Sequence, residues 1–204
     1  MKALRKVGIG ALLAGALLTE DASAGSWAKV TSQHDSRDFS TLTLTGGASG
    51  LPFGTSMFGF IESETQKTNR DNLKKPYGEL NLKKKTQNGL GVIAEYNGDF
   101  SSGGVNRFGL VFEPRLPLFL GAKFYPLSNK NNGVQIGIYG SKYFNKGNEY
   151  IEGFMDYNFK PRRFVGEAQF GKRIKNNLYG ATELRYNGFK PRNFGIAAGL
   201  ELKL

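Results

Sequence analysis

From Phe39 to its last residue the chain is written in short segments whose apolar side chains recur at every second position, each closed by Gly, Asn, Pro or Lys-rich punctuation. That period belongs to strands, because successive side chains on an extended backbone point to opposite faces. No stretch sustains a helical stripe. In the last segment Phe194, Ile196, Ala198, Leu200, Leu202 and Leu204 share one face, while Glu201 and Lys203 fall on the other. The same division sets Leu90, Val92, Ala94 and Tyr96 against Glu95 and Asn97; Phe108, Leu110 and Phe112 against Arg107 and Glu113; and Leu118, Leu120, Ala122 and Phe124 against Lys123 and Tyr125. Further strands are expected near 27–31, 40–45, 55–64, 77–86, 134–144, 150–159, 164–174 and 178–186. The total is about twelve, with ten as the lower bound, and many approach the roughly 9 to 11 residues with which a tilted strand crosses an outer membrane. Omitting the first would leave an odd number, which bacterial single-chain barrels avoid.

Residues 1–24 read as a cleaved secretory signal peptide. Lys2, Arg5 and Lys6 precede an apolar stretch from Val7 to Leu18, and Ala22-Ser23-Ala24 is a small-x-small cleavage site. The apolar stretch falls short of the roughly 20 residues a membrane-spanning helix needs. The expected domains are therefore the signal at 1–24 and an outer-membrane β-barrel over 25–204. The formal net charge of +11 becomes +10 once the signal, with three bases and two acids, is set aside. Much of the excess sits in turn-like stretches: Lys67, Arg70, Lys74 and Lys75; Lys130; and Lys160, Arg162, Arg163, Lys190 and Arg192. Loops of this charge suit anionic lipopolysaccharide or an anionic solute, and no nucleic-acid module accompanies them.

A soluble barrel or sandwich can carry the same alternation, with its apolar face turned inward. Three features favour lipid outside: the export signal, both signs of charge on the polar faces of neighbouring strands, and an apolar face that runs to the final residue. The end also fits a terminal-strand signature of outer-membrane barrels, with Gly199, Leu202 and Leu204 at the right spacing and leucine in place of aromatics. The expected fold is thus all-β, an antiparallel transmembrane β-barrel in the bacterial outer membrane of a Gram-negative cell. Its short turns, at 87–89, 114–117, 145–148 and 175–177, fall on the side of a periplasmic C-terminus, and the longest loop, 66–76, falls outside. Aromatics near strand ends (Phe144, Tyr157, Phe159, Tyr186, Phe189) suit interfacial girdles. Turning the apolar face to lipid sends Glu79, Lys83, Glu95, Arg107, Glu113, Lys123, Glu152, Asp156, Glu167 and Arg185 into the lumen, together with Arg173 and Glu183. A base left on the lipid face at mid-plane would cost about 2–4 kcal/mol.

The stretch from Ser40 to Leu82 resembles the Tsx-type nucleoside-specific channel-forming outer-membrane proteins. The residues concerned are Thr41-Leu-Thr-Leu-Thr45, Gly50-Leu-Pro-Phe-Gly54, Phe58-Gly-Phe-Ile-Glu62 and Tyr77-Gly-Glu79. The resemblance implies a twelve-stranded barrel with a narrow pore in which aromatic and ionisable side chains bind nucleosides. Glu62 stands where the family has an acid, Asp rather than Glu, and Glu79 matches the Glu of Tyr-Gly-Glu.

Two functional readings stay open. One is a porin-like channel for small hydrophilic solutes, with Glu62 and the lumen charges as substrate-binding residues and nucleosides as the solute the resemblance implies. The other is a non-conducting structural or surface-interaction barrel whose charges zip into ion pairs. A third, a lipid-modifying outer-membrane enzyme, rests only on His34 in Gln33-His-Asp-Ser-Arg37, which reads as a solvated loop. No catalytic residue, metal site or cofactor is expected, with no Cys and a single His. The expected partners are the lipid bilayer and lipopolysaccharide, the barrel-insertion machinery and a small hydrophilic solute.

Overall fold

The computed structural model describes residues 25–66, 76–99, 103–116, 118–130 and 134–204. The expected signal, 1–24, lies outside the described residues, as does the basic stretch 67–75. Twelve strands follow one another: β1 (Ser26–Asp35), β2 (Phe39–Leu51), β3 (Thr55–Gln66), β4 (Tyr77–Lys85), β5 (Leu90–Asp99), β6 (Gly103–Phe112), β7 (Phe119–Ser128), β8 (Gln135–Phe144), β9 (Glu149–Asn158), β10 (Arg163–Lys175), β11 (Leu178–Asn187) and β12 (Phe194–Lys203). Each pairs antiparallel with its neighbours in the chain, and β1 pairs with β12 from Lys29↔Lys203 to Asp35↔Ala197, so the sheet closes into a barrel. Closure satisfies the backbone groups that an open sheet leaves bare at its edges.

The ladder, not the apolar pattern, sets strand length. β1 and β2 both run well beyond 27–31 and 40–45, because β1 pairs on both sides as far as Asp35 while its outward residues Ser32 and His34 carry no hydrophobic signal. This corrects the reading of 33–37 as loop: His34 lies in β1 on the outer face, its Nδ1 3.1 Å from Ser40 Oγ, and only the turn beyond Asp35 is irregular. Register shifts interrupt the β2–β3, β6–β7 and β10–β11 ladders, and such bulges let a closing sheet bend.

The burial pattern inverts that of a soluble protein. Leu200 and Leu202 on β12 are exposed on the outer wall, as are Phe108 and Leu110 on β6, whereas Glu201 has no exposed surface at all. Inside the barrel Ile93, Val111 and Tyr125 form a small buried apolar cluster with Tyr139 against it. The ends of β2, β4, β6, β8 and β10 lie at one end of the barrel with the start of β1 and the end of β12, the terminal end; the ends of β1, β3, β5, β7, β9 and β11 lie at the opposite end. The turns at 87–89, 145–148 and 175–177 and the described part of 114–117 thus share the end of Leu204, and Gln66 and Tyr77, which flank the expected longest loop, are at the other.

Candidate functional site

Because every strand alternates, each contributes one row of side chains to the lumen, and the polar rows meet there in four groups. At the terminal end Glu201 is the hub. It accepts hydrogen bonds from Tyr150 Oη (2.7 Å), Gln169 Nε2 (2.9 Å) and Thr31 Oγ1 (3.4 Å), and pairs with Lys29 at 3.1 Å and Lys203 at 3.8 Å. Lys29 also pairs with Glu152 of β9, four strands away around the wall, so this contact cuts across the lumen. The Lys203 ammonium lies 4.2 Å from the ring centres of Tyr150 and Tyr179 and 4.7 Å from that of Tyr143, within cation–π range of all three. A Cβ at position 171 would collide with the Tyr150 ring, so glycine there lets the ring lie against β10.

A second group, also toward the terminal end, centres on Glu113, which takes Lys83 at 2.6 Å, Lys85 and the Tyr139 hydroxyl. The third crosses β4 to β9. Glu95 pairs with Arg107 and with Lys123 at 3.4 Å and accepts the Tyr125 hydroxyl at 2.8 Å; Lys123 reaches on to Asp156 at 3.2 Å. The same Tyr125 hydroxyl lies 3.1 Å from Asn81 Oδ1, which can share its proton, and Asn81 and Asn97 donate to Glu79 at 2.6 and 3.2 Å. The fourth, toward the opposite end, joins Arg185 to Glu183, Gln33 (2.7 Å), Thr41 (3.3 Å) and Asp35 (3.9 Å), with Arg37 on Asp35 at 2.7 Å. Removing one partner of such a buried pair costs about 3–5 kcal/mol, since the other charge stays behind without water.

The pairs do not fill the barrel. A cavity of about 1590 Å³ remains, and its lining runs from Gly25, Ser49 and Lys203 at the terminal end to Pro161, Phe189 and Lys190 at the opposite end. Glu62, Glu79, Lys83, Arg107, Glu113, Lys123, Glu152, Asp156, Glu167 and Arg185 all line it; Glu95 lies behind them, buried against Arg107. Glu62 accepts a hydrogen bond from Thr43 at 3.2 Å. Among the described residues Glu167 makes no hydrogen bond or ion pair. The sequence reading missed Lys29, Gln33 and Asp35 of β1 and the acceptor role of Glu201. Glu201 was legible as polar-face, but β1 lacks the greasy outer row that would have marked its inner one. Arg173 lies near the terminal rim, its Nη2 2.8 Å from the Tyr179 hydroxyl. Among the described residues no group of three or more His, Cys, Asp or Glu side chains is placed to hold a metal ion.

No protein family matches this sequence, and no curated protein gives a significant match. Among solved structures the chain is similar to the KdgM porin, at a TM-score of 0.57 and 12% identity over 85% of this chain and 98% of that one. A second KdgM porin structure, in complex with disordered oligogalacturonate, matches at 0.56 and 12%, over 87% and 98%. Outer membrane phospholipase A from Escherichia coli matches at 0.58 and 13% identity, over 95% and 97%. At such identities the likeness is one of fold, a barrel architecture that serves a porin and an enzyme alike.

Proposed function

We propose that the chain resides in the bacterial outer membrane as a narrow channel for small hydrophilic solutes. The observation that carries this reading is the cavity whose charged and aromatic lining extends from one end of the barrel to the other. The outer wall fits such a residence, since Phe108, Leu110, Leu200 and Leu202 are exposed on a face whose charges Lys84, Lys142, Glu149 and Lys172 sit toward the terminal end, away from mid-plane. The terminal end then faces the periplasm and the basic loops face outward. Ion pairs such as Lys29–Glu152 narrow the path without sealing it. Nucleosides are the solute that the Ser40–Leu82 resemblance favours, with Phe60, Tyr77, Glu62 and Glu79 as the groups to stack on the base and hold the sugar.

Single-channel recording in planar bilayers tests the proposal. Discrete steps of current, reduced by added adenosine, are expected of a nucleoside channel; steps untouched by nucleosides would retain the channel and discard the solute. Silence in every electrolyte would overturn the channel in favour of a structural barrel.

The His34–Ser40 contact favours a second reading, a hydrolase working on the lipid-facing wall. Against it, Asp35, the acid next to His34 in the chain, lies on the other face of β1 and is held by Arg37, which leaves the imidazole without an orienting carboxylate from its own strand. Release of fatty acid from phospholipid vesicles, abolished by Ser40→Ala, is the result that would promote it.

A further inference from the structure

The chain is strongly basic, yet its lumen is not. Among the described residues ten basic side chains line the cavity, and nine of them, all but Lys160 at the rim, are engaged by carboxylates. Three lining acids are different. Among the described residues, Glu62, Glu79 and Glu167 pair with no base; the first two accept only neutral hydrogen bonds, from Thr43 and from Asn81 and Asn97. They come from two sides of the barrel, β3–β4 and β10, in the half nearer the opposite end; Glu167 lies within electrostatic reach of Glu62 and Glu79 and also of Arg185, which reaches Glu62 as well, while Lys123 reaches Glu79. A fourth carboxylate is half satisfied. Asp156, 7% exposed on the same cavity, pairs with Lys123 through Oδ2, while Oδ1 has no hydrogen-bond partner.

Aromatic rings flank these acids. In the β3–β4 ladder Tyr77 stands directly opposite Glu62 and Phe60 opposite Glu79, and the two rings are 5.8 Å apart. A ring face attracts a cation and repels an anion, so rings and carboxylates act with the same sign. A low-dielectric cleft lined by charge of one sign concentrates counter-ions by a factor on the order of ten or more.

We infer that the lumen selects cations, that Glu62, Glu79 and Glu167 set the preference, and that the class of solute held beside Phe60 and Tyr77 is a small organic ammonium. The inference rests on the channel reading but not on the nucleoside assignment, which it replaces at this site. It runs opposite to what the net charge of the protein suggests, because nine of the ten lumen bases among the described residues, the loop base Lys190 included, are engaged by carboxylates.

The experiment is the reversal potential of the full-length mature protein in planar bilayers across a KCl gradient, with phenethylammonium chloride then added as a blocker. K⁺ is expected to permeate about tenfold more readily than Cl⁻, the low end of what such focusing supplies. Glu62→Gln/Glu79→Gln/Glu167→Gln should bring the ratio close to one and raise the blocking concentration of phenethylammonium at least severalfold. Heat-modifiable migration on gels checks that the variant is a closed barrel, and the three single Gln variants, each shifting the ratio part of the way, serve if the triple variant does not fold. A wild-type current that prefers Cl⁻ or neither ion, or a triple variant with unaltered selectivity, overturns the inference and leaves the channel standing. Absence of any current removes the channel and the inference together.

Discussion

Replacing Glu201 should show how far the terminal-end network holds the barrel together. The side chain has no exposed surface, takes three hydrogen bonds and lies between two ammonium groups. Glu201→Ala leaves Lys29 with Glu152 alone, strands the proton of the Tyr150 hydroxyl, leaves the Gln169 amide with Tyr150 as its one acceptor of the two, and removes the carboxylate beside Lys203. Loss of one partner from a buried pair is worth about 3–5 kcal/mol, and each buried donor left unmade about 1–3. Because lumen water can reach part of this region, the lower figure, about 3 kcal/mol, is the expected destabilisation. Glu201→Gln keeps an acceptor for Tyr150 and loses only the charge, so it should cost about 1–2 kcal/mol, the difference between a charged and a neutral hydrogen-bond partner. Trp27, the one tryptophan, lies on β1 beside the β1–β12 seam and reports opening by fluorescence during urea titration in phospholipid vesicles. If Glu201→Ala unfolds within about 0.5 kcal/mol of wild type, as an ordinary surface change does, the network is not what closes this end.

Leu200 faces outward at 51% exposure, so Leu200→Lys should destabilise the protein in vesicles by about 2–4 kcal/mol; a neutral result would place that face in water. A Cβ at Gly199 would lie 2.7 Å from Gln33 Cα and collide with the Ser32 carbonyl, and Gly199→Val is expected to push the seam apart at a cost of about 1–3 kcal/mol in the same titration. His34→Ala should leave conductance, selectivity and unfolding midpoint unchanged, because the ring lies outside the lumen and its hydrogen bond is an exposed one to Ser40; a changed current would mean that the outer wall communicates with the pore.

The sequence alone exposed the fold because closure in lipid imposes one strict rule, apolar outward and polar inward at every second position, and β12 obeys it to the last residue. Glu201 beside Leu202 is enough to tell the two faces apart. Where the outer face weakens, as at Ser32 and His34, the strand becomes invisible although its ladder is intact, and the lumen residues of β1 vanish with it. The identity of lumen residues such as Lys123 and Glu167 was therefore readable, whereas their pairing was not. Which carboxylate meets which base depends on how far the ladders are staggered around the ring. Lys29 and Glu152 are 123 positions apart in the chain, and only that stagger makes them neighbours.

The pairing of β1 with β12 means that no strand of this sheet is peripheral. An open sheet frays inward from its outermost strand, one ladder at a time; here the first event must break a ladder flanked by intact neighbours on both sides. Amide exchange in the strands is accordingly expected to be governed by whole-ring opening, with gradual loss confined to the turns. A chain that has laid down only eleven strands has none of this protection and carries two adhesive rims at once.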